Sequence, residues 1–180
     1  MATLESTPDL LRPSVLGIAA WSGAGKTTLL TRLIPLLRAT GLRVSVLKHA
    51  HHNFDLDIPG KDSYRLRKAG AVQTLVASDA RRVLITELAD SVEPTISELL
   101  DQFDHTRSDL ILVEGFRDQP FPKIEVYRAA LGKPPLHPKD PHIIAVVSDA
   151  PIATALPVMD LNCPAVVAEF ILARVAQRSL

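Results

Sequence analysis

Ala20-Trp21-Ser22-Gly23-Ala24-Gly25-Lys26-Thr27-Thr28 follows the apolar run Val15-Leu16-Gly17-Ile18-Ala19 and precedes a leucine-rich pattern of helical period. A strand that turns through small residues into a helix opening Gly-Lys-Thr is the setting of a phosphate-binding loop. Gly23 and Gly25 accept backbone angles that other residues resist, and they put no side chain where a phosphate approaches. The backbone N–H groups from Ser22 to Thr28 then converge on one concavity, and the helix N-terminus adds partial positive charge. Lys26 supplies a full charge for the β- and γ-phosphates. The Thr27 hydroxyl is a hard oxygen ligand suited to Mg2+. The usual pattern opens with glycine where this chain has Ala20, a substitution that fits if Ala20 keeps a negative φ. The bland alternative is a glycine-rich turn that only starts a helix.

The surrounding chain is expected to be α/β, with a mostly parallel central sheet and a hairpin extension. Strands are expected near residues 15–19, 42–47, 109–116, 123–127 and 142–147, the last taken as the final core strand. Helices are expected near 26–39, interrupted by Pro35 and ended by Gly41, and near 61–69, 93–103 and 164–178. Two β-like runs, 72–77 and 82–86, joined by Ser78-Asp79-Ala80-Arg81, form the hairpin. Residues 131–141, with four prolines, are expected to be a surface loop. Residues 1–13 are expected to be a disordered tail and 14–180 a single nucleotide-binding domain.

Composition bounds the partners. The 180-residue chain carries no formal net charge, so bulk electrostatics point to neither nucleic acid nor an anionic membrane. No apolar run reaches the roughly 18 residues of a membrane span, and the N-terminus lacks the pattern of a signal peptide; a cytoplasmic protein is expected. The one cysteine, Cys163, makes no intramolecular disulfide and reads as a small buried hydrophobe beside Pro164.

Around the loop, Glu114 ends an apolar strand, where a carboxylate would meet Mg2+ directly or through water; the alternative is a strand-end acid at the turn of Gly115. Asp55 and Asp57 follow the second strand and face one way if the backbone is extended. Either would orient an attacking water, help fix the metal, or remain a solvated loop acid. Asp57 and Glu114 thus join Lys26 as candidate catalytic groups, and Thr27, Glu114 and Asp57 are the candidate metal set. Asp62 and Ser63 cap the next helix or touch substrate. Lys48 pairs with a phosphate or with Glu114. His49, His51 and His52 lack zinc-site spacing. Asp109 begins its strand and so lies at the end away from the site. The Asn-Lys-x-Asp guanine signature is absent, but Asp149 ends the last core strand in the corresponding place, where a carboxylate is expected to accept N1–H and N2–H of guanine.

Four stretches together resemble the MobB family of molybdopterin-guanine dinucleotide biosynthesis proteins. They are residues 20–30; Lys48-His49-Ala50-His51-His52 with residues 55–63; Arg67-Lys68-Ala69-Gly70-Ala71; and Leu110-Ile111-Leu112-Val113-Glu114-Gly115-Phe116. The resemblance runs from Val15 to Asp149. It implies a P-loop NTPase-type three-layer fold, GTP and Mg2+ as ligands, weak GTPase activity at most, a homodimer, and a MobA-type guanylyltransferase as partner. Molybdopterin is a further candidate ligand, with Arg65, Arg67, Arg81, Arg82 and Arg117 as candidates for its phosphate or that of the nucleotide. The alternative from another class is a small-molecule kinase using the same loop; the absence of arginine from residues 131–141 counts against it.

Overall fold

The computed structural model describes residues 12–50, 54–88 and 93–180. The expected tail falls largely outside these residues, as do His51 and His52. The strands are β1 (Ser14–Ala19), β2 (Val44–Lys48), β3 (Gln73–Ala77), β4 (Arg82–Thr86), β5 (Leu110–Glu114), β6 (Lys123–Tyr127), β7 (Ile143–Ser148) and β8 (Val158–Asp160). The α-helices are α1 (Lys26–Ala39), α2 (Asp62–Lys68), α3 (Ile96–Leu100) and α4 (Pro164–Ala176). By contacts the chain forms two compact units, one of residues 1–49 with 96–180 and the other of 50–95.

In the larger unit, six strands form one sheet in the order β2-β5-β1-β6-β7-β8, every pair parallel. Parallel strands covered on both faces are apolar along their whole length rather than alternating. β5 shows this: Leu110, Ile111, Leu112 and Val113 are all inaccessible to solvent. Leu110 and Leu112 join Leu29, Leu33 and Leu37 of α1 and Val167 and Ile171 of α4 in one core. Ile111 and Val113 point the other way, toward Ile96, Leu99 and Leu100 of α3 and Phe103. The helix–sheet–helix layering therefore follows from the two faces of one apolar strand.

The expected elements are present with shifted bounds. α1 continues through Pro35, and Gly41 (φ 89°) closes it by donating from N to the Arg38 carbonyl at 3.0 Å. α3 is shorter than expected and starts beyond Pro94. β7 is not the last strand: β8 pairs with it in parallel, too short and too mixed in character to stand out from the sequence. Cys163 is exposed at the N-cap of α4, contrary to the buried reading. Asp109, at the opposite end of β5 from Glu114, accepts from Arg43 N (2.7 Å) and Nε (2.9 Å). The Arg43 hydrogen bond holds its carboxyl below the usual range. None of the described helices is long and apolar enough to cross a membrane.

The smaller unit is held differently. α2 begins at Asp62 with Lys61 as its N-cap, so Asp62 and Ser63 lie inside the first turn and neither caps it. β3 and β4 form a separate antiparallel ribbon. Its anchor is Arg67, whose guanidinium is largely buried. It meets Asp55 at 2.6 Å, Glu87 at 2.8 Å and Asp57 at 3.8 Å. The hydrogen bonds to Asp55 and Glu87, that to Asp55 first, raise the guanidinium pKa, and the bond to Arg67 lowers that of Asp55. The guanidinium thus offsets the mutual repulsion of three carboxylates.

Two predictions follow from packing. A Cβ on Gly17 of β1 would stand 2.5 Å from Lys123 Cγ and 2.7 Å from Phe121 Cε2. Gly17→Ala is expected to destabilise the protein by about 1–3 kcal/mol in denaturant titration, the usual cost of overpacking; an unchanged midpoint would contradict the contact. Arg67→Ala leaves three carboxylates facing one another. Hydrogen–deuterium exchange of β3 and β4 amides is expected to quicken while that of β1 and β5 is unchanged; equal rates in β3 and β4 would mean the cluster is ornamental.

Candidate functional site

The loop is built as its composition demands. Gly23 has φ 81° and Gly25, the N-cap of α1, has φ 100°, both in the region that favours glycine. Ala20 is not among the residues with positive φ, so it fits the first position without strain. Ala24 N donates to the Trp21 carbonyl at 3.3 Å and closes the turn. Lys26 Nζ folds back onto the Ala20 and Trp21 carbonyls, at 3.3 and 3.4 Å.

Parallel register brings the acid to this loop. Ile18 of β1 pairs with Glu114, and Lys48 of β2 pairs with Glu114 from the other side. The Thr27 hydroxyl donates to Glu114 Oε1 at 3.0 Å, and Lys48 Nζ lies 3.8 Å from Oε2. Glu114 is only 12% exposed. Lys26, Thr27, Lys48 and Glu114 thus form one cluster at the exits of three adjacent strands. Burial lowers the Lys26 pKa; Glu114 opposes that shift, while Arg117 and Lys48 add to it. An anion arriving at the loop would relieve this crowding of positive charge.

Beyond Glu114 the chain turns through Gly115 (φ 108°) and Phe116 (φ 50°). Gly115 is required twice over, since a Cβ there would stand 2.6 Å from His49 Cβ. His49 stacks on Phe116, with ring centroids 4.3 Å apart. The turn delivers Arg117 over the Trp21 ring at 4.9 Å, with Lys133 at 5.8 Å. Arg117, one of the candidate phosphate-pairing arginines, is at the loop. Arg67 is committed to the acids of its own unit.

The proline-rich stretch is irregular, as expected, but it is pinned. Glu125, 1% exposed, accepts from Leu136 N (2.7 Å), His137 N (2.9 Å) and lies 2.9 Å from His137 Nδ1. Lys123, equally buried, meets Asp140 at 2.9 Å. The pinned stretch reaches the phosphate loop: Trp21 Nε1 donates to the Pro134 carbonyl at 2.8 Å. Leu131 Cδ2 would stand 3.8 Å from a Cβ on Gly23. The sequence signal was available: Lys123-Ile124-Glu125-Val126-Tyr127 alternates, so one face of an interior strand is polar and must be covered by something polar.

Asp149 follows β7. Its Oδ1 accepts from Ala129 N at 3.1 Å and its Oδ2 from Arg128 Nη1 at 3.3 Å. Nothing local in the sequence distinguishes Arg128 from a surface arginine. Asp57 is fixed within the smaller unit, where Oδ1 accepts from Ile58 N (3.0 Å) and Ser63 Oγ (2.8 Å). Asp55 and Asp57 do face one way, toward Arg67.

The family described as molybdopterin guanine dinucleotide synthesis protein B (MobB) matches residues 15–149. The molybdopterin-guanine dinucleotide biosynthesis adapter protein of Escherichia coli is 48% identical over 158 residues, covering 87% of this chain and 90% of that one. The protein of the same name from Haemophilus influenzae is 44% identical over 157 residues, 87% and 86% of the two chains. The crystal structure of Bacillus subtilis MobB superposes with a TM-score of 0.71 at 24% identity, covering 90% of this chain and 97% of that one, which speaks to the fold. With a glycine-turned phosphate loop on an all-parallel sheet and a family match across most of its length, this chain is a member of the MobB family.

Proposed function

We propose that the protein is a GTP-binding adaptor in molybdenum cofactor (molybdopterin guanine dinucleotide) biosynthesis, assisting a MobA-type guanylyltransferase in the cytoplasm. The observation that carries the nucleotide part is the Lys26–Thr27–Glu114 cluster, with Thr27 Oγ1 and Glu114 Oε1 3.0 Å apart. Lys26 and the amides from Ser22 to Thr28 hold the phosphates. Asp149 accepts the base. Two hard oxygen donors side by side suit Mg2+, which Thr27 and Glu114 would hold, Glu114 directly or through water. When bound, the ion neutralises phosphate charge. Asp57 is assigned the remaining acid role, completing the metal set or orienting water for slow hydrolysis. Arg117, beside Lys26, is assigned to a phosphate of the nucleotide or of molybdopterin. The kinase alternative is not favoured, since relatives matched along most of both chains carry the adapter name.

The homodimer has a physical motive. In the β3–β4 ribbon Leu75 pairs with Leu84 and Val76 with Val83, so successive pairs face opposite sides. Leu75 is 62% and Leu84 54% exposed, and Val76 and Val83 are exposed as well. An isolated two-stranded ribbon is marginal in water, and one with apolar pairs on both faces favours a partner surface. A second copy of the same ribbon supplies it.

Calorimetric titration in Mg2+ is expected to show GTP bound in preference to ATP, and Lys26→Ala to abolish measurable binding of either. Equal binding of both nucleotides would remove the base role of Asp149 and reopen the kinase reading. Binding that survives in Lys26→Ala would remove the loop as the site. By analytical ultracentrifugation the wild type is expected to be a dimer, and Leu75→Asp with Leu84→Asp a folded monomer. A dimer that persists in the double variant would place the interface elsewhere.

A further inference from the structure

Arg128 stands between the two parts of the nucleotide site. Its Nε donates to the carbonyl of Ala24, inside the phosphate loop, at 3.3 Å. Its Nη1 donates to Asp149 Oδ2 at 3.3 Å, and the next residue's amide, Ala129 N, donates to Oδ1 at 3.1 Å. Nη2 lies 3.4 Å from the place a Cβ on Gly25 would take. The same segment continues past Leu131 at Gly23 to Pro134 at Trp21 and ends pinned on buried Glu125. The turn that carries Asp149 is closed independently, because Ser148 Oγ accepts from Ala150 N (3.1 Å) and donates to its carbonyl (2.6 Å).

The lone-pair count makes this more than a surface ion pair. A carboxylate has about four acceptor sites, two on each oxygen. Arg128 and Ala129 take one on each oxygen of Asp149 and leave one on each. A donor pair such as N1–H and N2–H of guanine needs acceptor capacity on both oxygens of one carboxylate, and both oxygens of Asp149 retain it. Asp149 is 21% exposed, so those sites are reachable. A guanidinium suits the bridging task because its donors lie in one plane with fixed directions; an ammonium would satisfy the two acceptors without fixing the plane between them.

We propose that Arg128 is a positioning residue that locks the Ala24 peptide of the phosphate loop to the Asp149 carboxylate, so that phosphates and base are read at one fixed spacing. The inference rests on the guanine role given to Asp149 above. Arg128 itself touches neither reacting atoms nor base; it acts by holding both recognising elements.

The test is calorimetry on the full chain with Mg2+, using GTP, inosine triphosphate (which lacks the 2-amino group) and inorganic tripolyphosphate. The variants are Arg128→Ala and Arg128→Lys, each checked by thermal melting; the lysine variant carries the test if the alanine variant is unfolded at the assay temperature. Arg128→Ala is expected to lower the preference for GTP over inosine triphosphate by about tenfold, or to unity if it starts smaller, the scale of a charge-assisted hydrogen bond. Tripolyphosphate binding should change less than about threefold. Arg128→Lys should retain tripolyphosphate binding and still lose the preference. Asp149→Asn in the Arg128→Ala background should cost GTP affinity much less than it does alone.

A preference preserved in both variants would overturn the inference. So would an equal loss for all three ligands, which would mark Arg128 as a brace for the loop only. A wild-type protein that binds GTP and inosine triphosphate equally would instead remove the guanine role of Asp149, and the inference with it.

Discussion

The parallel pairing of β1 with β5 is the constraint on which the site depends. Ile18 lies beside Glu114 in that register. Past the end of β1 the chain turns between Trp21 and Ala24, and Gly23 and Gly25 take the positive φ values that lead it into α1. Glu114, on the neighbouring strand, then emerges next to Thr27. A shift of one residue in the register would send Glu114 to the opposite face of the sheet. The shift is prevented by burial: Leu110, Ile111, Leu112 and Val113 all fill cores, two on each face. Packing that serves stability thereby positions chemistry.

The charges at the strand exits are arranged for an anion. Lys26 and Lys48 lie about one partly buried carboxylate, Arg117 acts on Lys26, and Lys26 spends its donors on the carbonyls of its own loop. Such a group gains by exchanging weak neutral acceptors for charged ones, because desolvation already disfavours its charge. On the other side of the loop, the pinned proline-rich stretch and Arg128 hold Trp21, Gly23 and Ala24 in place. Preorganisation of this kind lowers the entropy lost on ligand binding. Lys123, paired with Asp140, and Glu125, hydrogen-bonded by Leu136 and His137, are buried charges that would lose their partners if that stretch moved away.

What could be read from the sequence was what local physics dictates. The glycine–lysine–threonine turn, the apolar strand ending in Glu114 and the antiparallel ribbon each follow from spacing within about ten residues. Lys48 beside Glu114 followed from two strand exits at one edge of the sheet. The illegible parts depend on contacts distant in sequence. Arg128 gains its meaning from Ala24 and Asp149, 104 and 21 residues away. β8, three residues long, exists because β7 offers it an edge. Residues 131–141 read as irregular from their prolines, yet what pins them is the polar face of β6, visible only once the strand order is known. Cys163 was misplaced for a like reason: composition says cysteines are buried, whereas a helix N-cap at the surface is exposed.

The central claim is that the glycine-turned loop, with Thr27 and Glu114, holds a magnesium-bound guanine nucleotide. The most direct test is a crystal structure of the full chain grown with a non-hydrolysable GTP analogue and Mn2+, with anomalous scattering to locate the metal. The expected result is an anomalous peak beside Thr27 Oγ1, with Glu114 bound to it directly or through water, and phosphates at the amides of residues 22–28. An analogue bound away from the loop, with the Thr27–Glu114 hydrogen bond intact and no metal beside it, would rule this site out.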